Sequence, residues 1–107
     1  MDLTTEVLNE YLDKNNLSKD FTIQKMGKDL NKSRTLFFLE VKNLTGHNPS
    51  QMVMHYRLEK AKPMLHTAKH ISEVAYKVGF DSTAYFSKCF KQTFKMSPSQ
   101  YINSERT

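Results

Sequence analysis

Residues 71–90, ISEVAYKVGFDSTAYFSKCF, contain two helical patterns separated by a short turn. In the first pattern the apolar residues are three or four positions apart, as on one face of a helix: Ile71, Val74, Ala75, Val78. In the second, Phe86 and Phe90 are four apart, and Ser82 ahead of them is a residue favoured at helix N-caps. Gly79 stands where a helix C-terminus favours glycine. The stretch therefore predicts a short helix, a tight turn and a longer helix, which are the parts of a helix-turn-helix motif.

The same pattern occurs a second time, nearer the N-terminus. Residues 23–41, IQKMGKDLNKSRTLFFLEV, repeat the apolar and capping positions in the same order, with a turn that is one residue shorter. The matching pairs are Ile23/Ile71, Met26/Val74, Gly27/Ala75, Leu30/Val78, Ser33/Ser82, Phe37/Phe86, Val41/Phe90 and Pro49/Pro98. Such a repeat predicts two helix-turn-helix units, in each of which the second helix is suited to the DNA major groove. A duplicated helical bundle without that role is the alternative.

Helical patterns also fill the rest of the chain, so the predicted fold is all-α, with seven helices and two helix-turn-helix subdomains joined by a long linker helix. We expect residues 1–107 to form a single domain. Its first helix-turn-helix unit lies at about 21–47, the linker helix at about 49–65, the second unit at about 70–95 and a C-terminal helix at about 98–103. Asn48-Pro49 and Ser97-Pro98 open two of these helices, because proline is favoured at the first helical position.

Three details of this fold are further expectations. A linker helix of roughly 17 residues is about 25 Å long. With the widths of the flanking helices added, this length is on the scale of the roughly 34 Å between successive major grooves. Pro63 predicts a kink or an early end of the linker helix, since proline has no amide hydrogen. Leu44 is expected on the core face of the third helix with Phe37 and Val41.

Composition and charge narrow the possible partners. The chain has a net charge of +5, and its isoelectric point of about 9.4 favours phosphate backbones or anionic membranes as partners. No apolar run is long enough to span a bilayer and no signal peptide is recognisable, so no membrane partner and a cytoplasmic location are expected. Cys89 is the single cysteine, which excludes a disulfide framework.

No residues suggest catalysis or metal binding. No pair combines a catalytic base with a nucleophile, so we predict that the chain is not an enzyme and uses no cofactor. His66 and His70 have the spacing of two metal ligands on a helix. They flank an expected helix end and have no third ligand nearby, so no metal site is predicted. Cys89, beside Phe90, is interpreted as a small core side chain.

From Phe21 to Tyr101 the chain resembles the AraC/XylS family of transcription regulators. The most specific motifs are residues 71–80 (ISEVAYKVGF), 85–90 (YFSKCF) and 97–101 (SPSQY), with 57–61 (RLEKA) similar to the family's linker helix. The segments 44–46 (LTG) and 86–90 (FSKCF) are most similar to members fused to two-component signalling modules.

This resemblance implies sequence-specific binding of double-stranded DNA for transcription control in the bacterial cytoplasm, with association with the nucleoid when bound. It also implies RNA polymerase as a partner, and a sensory or receiver domain on the full-length chain. Both an output domain of a longer two-component regulator and a short stand-alone regulator fit the sequence.

The resemblance places the DNA-contacting residues on the third and sixth helices. The candidates for contacts with bases are Arg34, Thr35, Phe38, Leu39, Thr83, Ala84, Ser87 and Lys88. The candidates for contacts with phosphates are Ser33, Lys42, Ser82, Lys91 and Lys95.

Two departures from the family pattern affect these assignments. Phe38 and Leu39 occupy outward positions of the third helix, where the family favours an arginine or lysine at 39, whereas the equivalent Lys88 fits. Lys95 stands where a glycine is common after the sixth helix. The second unit is therefore expected to read bases. As an alternative function, the chain is a protein-interaction module that uses the Phe38/Leu39 patch and has only weak nonspecific affinity for DNA.

Overall fold

The computed structural model describes residues 2–105. Over this range the chain forms seven α-helices and no strands, as the sequence predicted. The helices are α1 (Thr5–Asn15), α2 (Ile23–Asp29), α3 (Arg34–Thr45), α4 (Pro49–Leu65), α5 (Ile71–Lys77), α6 (Thr83–Phe94) and α7 (Pro98–Glu105). They form two compact units that divide after Met54, within α4, and we call these the N-terminal unit and the C-terminal unit.

Side-chain caps begin most of these helices, and those of α3, α4, α6 and α7 lie where the sequence predicted them. The hydroxyl oxygens of Thr22, Ser33 and Ser82 each accept a hydrogen bond from the backbone N–H three residues later. At the start of α4, Asn48 and Gln51 exchange such bonds reciprocally, at 2.9 and 3.1 Å. Ser97 and Gln100 do the same before α7, at 3.1 and 2.8 Å, so both helices begin with the same capping box.

The N-terminal unit has a core made of the inner faces of its helices. The buried residues include Leu8, Leu12, Met26, Phe37 and Val41. Two polar contacts tie the N-terminal segment and α1 to this core. The Tyr11 hydroxyl donates a 2.7 Å hydrogen bond to Asp29 on α2, and the Leu3 amide donates a 3.5 Å bond to Glu40 on α3.

The C-terminal unit is built around aromatic side chains. Phe86 and Phe90 are fully buried, and their ring centroids lie 5.8 Å apart. Phe80 packs edge-on against Phe86 at 5.3 Å, and Phe94 and Tyr101 pack edge-on against Phe90 at 4.7 and 5.8 Å. Such edge-to-face pairs add to the stabilisation that comes from burying the rings.

Two expectations about the helices are corrected: the early end of α4, which was one of the two alternatives at Pro63, and the burial of Leu44. Pro63 does not end α4 early, because the helix continues to Leu65 and closes with backbone bonds from His66 and Thr67 to residues three positions earlier. A proline this close to a C-terminus removes one bond and leaves the preceding turns intact. Leu44 is 40% exposed and does not join Phe37 and Val41 in the core, since it lies on the last turn of α3.

Candidate nucleic-acid interface

The turn between the two helices has the same hydrogen bond in both units. In the N-terminal unit, Asn31 adopts a left-handed conformation (φ +61°) and the Lys32 amide donates to the Gly27 carbonyl at 2.9 Å. In the C-terminal unit, Gly79 is left-handed (φ +100°) and the Phe80 amide donates to the Ala75 carbonyl at 2.9 Å. The tight turn predicted from the repeat is therefore present twice.

α2 and α3 approach each other closely at Gly27. A Cβ atom at this position would lie 3.2 Å from Cγ of Phe37, which is closer than ordinary van der Waals contact. Phe37 and Val41 turn inward here, and this fixes which face of α3 points away from the core. The absence of a side chain at position 27 therefore permits this close crossing of α2 and α3.

The outward face of α3 is mixed in character. The Ser33 hydroxyl oxygen accepts from the Leu36 amide at 3.2 Å, which leaves the hydroxyl proton available to another acceptor. Arg34, Thr35, Phe38, Leu39 and Lys42 are all exposed. Phe38 and Leu39 are 47% and 53% exposed, so this face has an apolar middle between cationic ends.

The outward face of α6 is polar and basic. Ala84, Lys88 and Lys91 are exposed, and Thr83 and Ser87 are half-buried. The Ser82 hydroxyl oxygen accepts from the Tyr85 amide at 3.2 Å, as Ser33 does in α3. Lys95 follows the helix with φ +66°, where the first unit has Gly46 at φ +78°.

The sequence-predicted residues thus divide between two surfaces, one on each unit. Within each surface they occupy a single helix and its N-cap, with Lys95 at the C-cap of α6, and Ser33 and Lys42 lie toward opposite ends of α3. On α6 the basic side chains Lys88, Lys91 and Lys95 follow one another toward the C-terminal end of the helix.

Two contacts on the C-terminal unit support the position of α6. Burial lowers the pKa of Arg57, and the attraction of Asp81 opposes that shift, so a cation of α4 lies close to the residue that precedes the α6 cap. Lys62 of α4 also places its Nζ 3.9 Å from the ring centroid of Phe94, on the last turn of α6. A cation of α4 therefore contacts the last turn of α6, and a second one attracts the residue that precedes its N-cap.

The acidic residues around α3 are neutralised by neighbours. Lys32 Nζ lies 3.0 Å from Glu40 Oε2, and Lys25 Nζ lies 3.3 Å from Asp29 Oδ2. These two carboxylates are the only acidic residues in the α2 and α3 sequences, so the exposed charge of this surface is positive.

One surface feature was missed in the sequence. A cavity of about 670 Å³ opens in the N-terminal unit, lined among others by Gln24, Lys28, Arg34 and Phe38. Lys28 corresponds to Tyr76 in the second copy, and this difference was the available signal that the two units have unlike surfaces. The cavity adds Gln24 and Lys28 to the surface around the start of α3.

The described residues contain neither a metal-ligand cluster nor a membrane-spanning helix. Among residues 2–105, no group of three or more histidine, cysteine, aspartate or glutamate side chains is arranged to hold a metal ion. His66 follows the end of α4 and His70 is the N-cap residue of α5, so the two do not share a helix. No helix in this range is both long and apolar enough to cross a membrane.

Residues 26–104 match the family model described as a helix-turn-helix domain, which covers most of the chain and both units. The chain belongs to the AraC-type helix-turn-helix family. It is therefore a DNA-binding domain of transcription regulation, as the resemblance implied.

Relatives and solved structures agree with this membership. Over 90 residues the chain is 39% identical to histidine kinase P4 of Formosa agariphila. The matched region covers 83% of this chain and 7% of the kinase. Over 83 residues it is 37% identical to the HTH-type transcriptional regulator MtrA of Neisseria gonorrhoeae, covering 77% of this chain and 28% of the regulator. The C-terminal domain of AraT, a response regulator from Geobacillus stearothermophilus, superimposes with a TM-score of 0.75 at 30% identity, covering 89% and 79% of the two chains. The chain thus spans a minor part of these two curated relatives.

Proposed function

We propose that α3 and α6 each enter a major groove of double-stranded DNA, and that the chain reads two short boxes about one helical turn apart. The observation that carries this proposal is the orientation of the two helices. Each buries one phenylalanine-containing face in its own unit and leaves the opposite face exposed, with Arg34 on one helix and Lys88 on the other. A recognition helix uses such an exposed face to contact base edges.

The proposed roles follow from side-chain chemistry. Arg34 and Lys88 can donate hydrogen bonds to the acceptors of guanine, and Thr35, Thr83 and Ser87 can exchange hydrogen bonds with several bases. Ala84, Phe38 and Leu39 can make only apolar contacts with bases. The proposed phosphate contacts come from the helix caps and flanking lysines: Ser33, Lys42, Ser82, Lys91, Lys95.

We further propose that the chain is the output part of a longer bacterial regulator with a sensory or receiver domain. The shares of the two relatives that it covers, 7% and 28%, support this, as does its similarity to a response regulator's C-terminal domain. RNA polymerase is the proposed protein partner, and the cytoplasm and nucleoid are the proposed location. Retention of this chain on immobilised RNA polymerase holoenzyme and fractionation of cells that express it test these two points.

Selection of bound duplexes from a random pool tests DNA reading directly. We expect a consensus with two short boxes separated by about one helical turn. The affinity for that consensus should fall linearly with salt on a log–log plot, by about 0.9 per phosphate neutralised, with a slope equal to several contacts. A chain that selects no sequence and shows a flat salt dependence would contradict the proposal and would favour a protein-interaction module built on Phe38 and Leu39.

A further inference from the structure

Two large apolar side chains occupy the outward middle of α3. Phe38 and Leu39 are 47% and 53% exposed, and by the internal repeat they correspond to Ser87 and Lys88 of α6. Exposed apolar side chains that are adjacent on a recognition surface lose contact with water when a ligand covers them, which favours binding to an apolar partner group. The two helices therefore offer different chemistry to whatever they bind.

The major groove of DNA contains one apolar group. The edges of guanine, adenine and cytosine present hydrogen-bond donors and acceptors, whereas thymine adds the C5-methyl group. Phe38 and Leu39 can form no hydrogen bond, so over other bases they would remove water from donors and acceptors and leave these unpaired. Over thymine they would bury its methyl group.

The charges around Phe38 and Leu39 favour DNA over an apolar protein surface as the occupant. Arg34 and Lys42 flank the pair on α3, and Lys28 lines the cavity that Phe38 also lines. The carboxylates of α2 and α3, Asp29 and Glu40, are held in ion pairs. A polyanion with apolar groups inside its groove matches this arrangement of an apolar pair within a cationic rim.

We infer that the DNA box contacted by α3 is recognised through thymine methyl groups, with Phe38 and Leu39 as the residues that contact them. This inference rests on the proposed function, because it requires α3 to enter the groove. It assigns apolar recognition to the first box, whereas Lys88 gives the second box recognition by hydrogen bonds.

Deoxyuridine provides the test, since it differs from thymidine only by the missing methyl group. Each thymine of the selected consensus is replaced singly by deoxyuridine, and the Kd of the full chain is measured for every duplex. In the α3 box we expect at least one replacement to weaken binding about four-fold, as the loss of one buried methyl group predicts. Replacements outside both boxes should leave Kd within two-fold.

Variants of the chain connect each methyl group to a side chain. In Phe38→Ser or Leu39→Ser, the deoxyuridine effect at the contacted thymine should fall to less than two-fold, because the partner of the methyl is already absent. Leu44→Ser is the matched control, since Leu44 is also an exposed leucine of α3 and should preserve the full effect. Circular dichroism of each variant verifies that it is folded.

The outcomes separate the inference from the proposed function. If the chain selects two boxes but no deoxyuridine replacement changes Kd, α3 does not read methyl groups and the inference is wrong while DNA reading stands. If the effect persists in both Phe38→Ser and Leu39→Ser, other residues contact the methyl groups and the inference is also wrong. If the chain selects no DNA sequence, the proposed function itself fails.

Discussion

The N-terminal and C-terminal helix-turn-helix units have the same backbone turn but different side chains around it. The hydrogen bond from Lys32 to Gly27 in one unit is matched by that from Phe80 to Ala75 in the other, both at 2.9 Å. Lys32 forms an ion pair with Glu40, whereas Phe80 packs against Phe86. A few cap, turn and crossing positions thus suffice to specify the motif.

The two units also place polar and apolar side chains in opposite ways between the interior and the outward face. The N-terminal unit has a polar pair inside the motif and an apolar patch outside, while the C-terminal unit has aromatic packing inside and lysines outside. At the position of Glu40 the second copy has the buried Cys89, and at the position of Leu39 it has the exposed Lys88. This difference teaches that both the interior and the solvent face of a helix-turn-helix unit can diverge while its cap and turn positions keep the same backbone hydrogen bonds.

The largest expected effect concerns the aromatic core of the C-terminal unit. Phe86→Ala should lower the free energy of unfolding of this unit by about 3–5 kcal/mol, because it removes a fully buried ring that contacts Phe80 and Phe90. Denaturant titration followed by circular dichroism measures the loss. Tyr76→Ala, at a residue that is 65% exposed, serves as the control and should change stability by less than about 0.5 kcal/mol. A loss below about 1 kcal/mol for Phe86→Ala would contradict the account of this core.

The ion pair of the N-terminal unit should give a smaller effect. The side chains of Lys32 and Glu40 are only 10% and 22% exposed. Glu40→Ala should therefore lower the free energy of unfolding by about 1–3 kcal/mol, because it leaves the Lys32 ammonium unpaired. This loss is smaller than the roughly 3–5 kcal/mol expected when a fully buried pair is broken. The double variant Lys32→Phe with Glu40→Cys copies the residues of the second unit and removes both charges. It should cost less than Glu40→Ala in the same denaturant titration. A larger cost for the double variant would show that the two interiors are not interchangeable.

Exchanging the residue types at the C-caps of α3 and α6 should change stability by about 1 kcal/mol, with opposite signs in the two units. Gly46 and Lys95 both have positive φ, and nothing lies within 4 Å of where a Cβ at Gly46 would be, so backbone strain alone decides the effect there. We expect Gly46→Lys to destabilise its unit by about 1 kcal/mol and Lys95→Gly to stabilise its unit by a similar or smaller amount. Thermal unfolding of the two variants measures both signs. Equal signs would refute the claim that the caps are equivalent.

The smallest expected effect is a pKa change at the tether of α1. Burial and the hydrogen bond to Asp29 raise the pKa of Tyr11 from its ordinary 10.0 to about 12, and the same hydrogen bond helps to lower the pKa of Asp29 below 3.8. The stability gained from the neutral phenol is therefore fully present below pH 10 and is lost as the pH rises through about 12. The stability gained from the Asp29 carboxylate is present above pH 3.8 and is lost as the pH falls through its lowered pKa.

Tyr11→Phe tests this tether. It should raise the pKa of Asp29 toward its ordinary value, measured by an NMR titration of the side-chain carboxyl group. Tyr76→Phe is the control and should leave the Asp29 titration unchanged. An unchanged Asp29 pKa in Tyr11→Phe would mean that the lysines of α2 alone stabilise the carboxylate.

Much of the fold followed from short-range rules in the sequence. The caps at Ser33 and Ser82 and the left-handed turn at Gly79 depend on chemistry within a few residues. Such features can be predicted because helix caps and tight turns are local. The family resemblance then identified the outward positions of α3 and α6.

Features that depend on contacts between elements could not be predicted. Leu44 has helical spacing from Val41, but spacing gives only the direction of a side chain and not whether another element covers that turn. Leu58 is fully buried, and its spacing from Ala61 and Leu65 was a signal that the sequence interpretation did not use. The Lys32–Glu40 ion pair joins residues that are eight positions apart in the sequence, whereas the rules for neighbours on a helix cover pairs three or four positions apart.

We propose that the two recognition helices are unequal and that α6 carries most of the sequence discrimination, because Lys88 can donate hydrogen bonds to base edges whereas Leu39 makes only apolar contacts. The most direct test measures Kd for matched and mismatched duplexes with Lys88→Ala and Leu39→Ala, which alter equivalent positions of the repeat. Lys88→Ala should lose about 1–3 kcal/mol of binding free energy and relax specificity at its base pair, while Leu39→Ala should lose less than about 1 kcal/mol. If Lys88→Ala kept full affinity and discrimination while Leu39→Ala lost both, the roles assigned to α3 and α6 would be reversed.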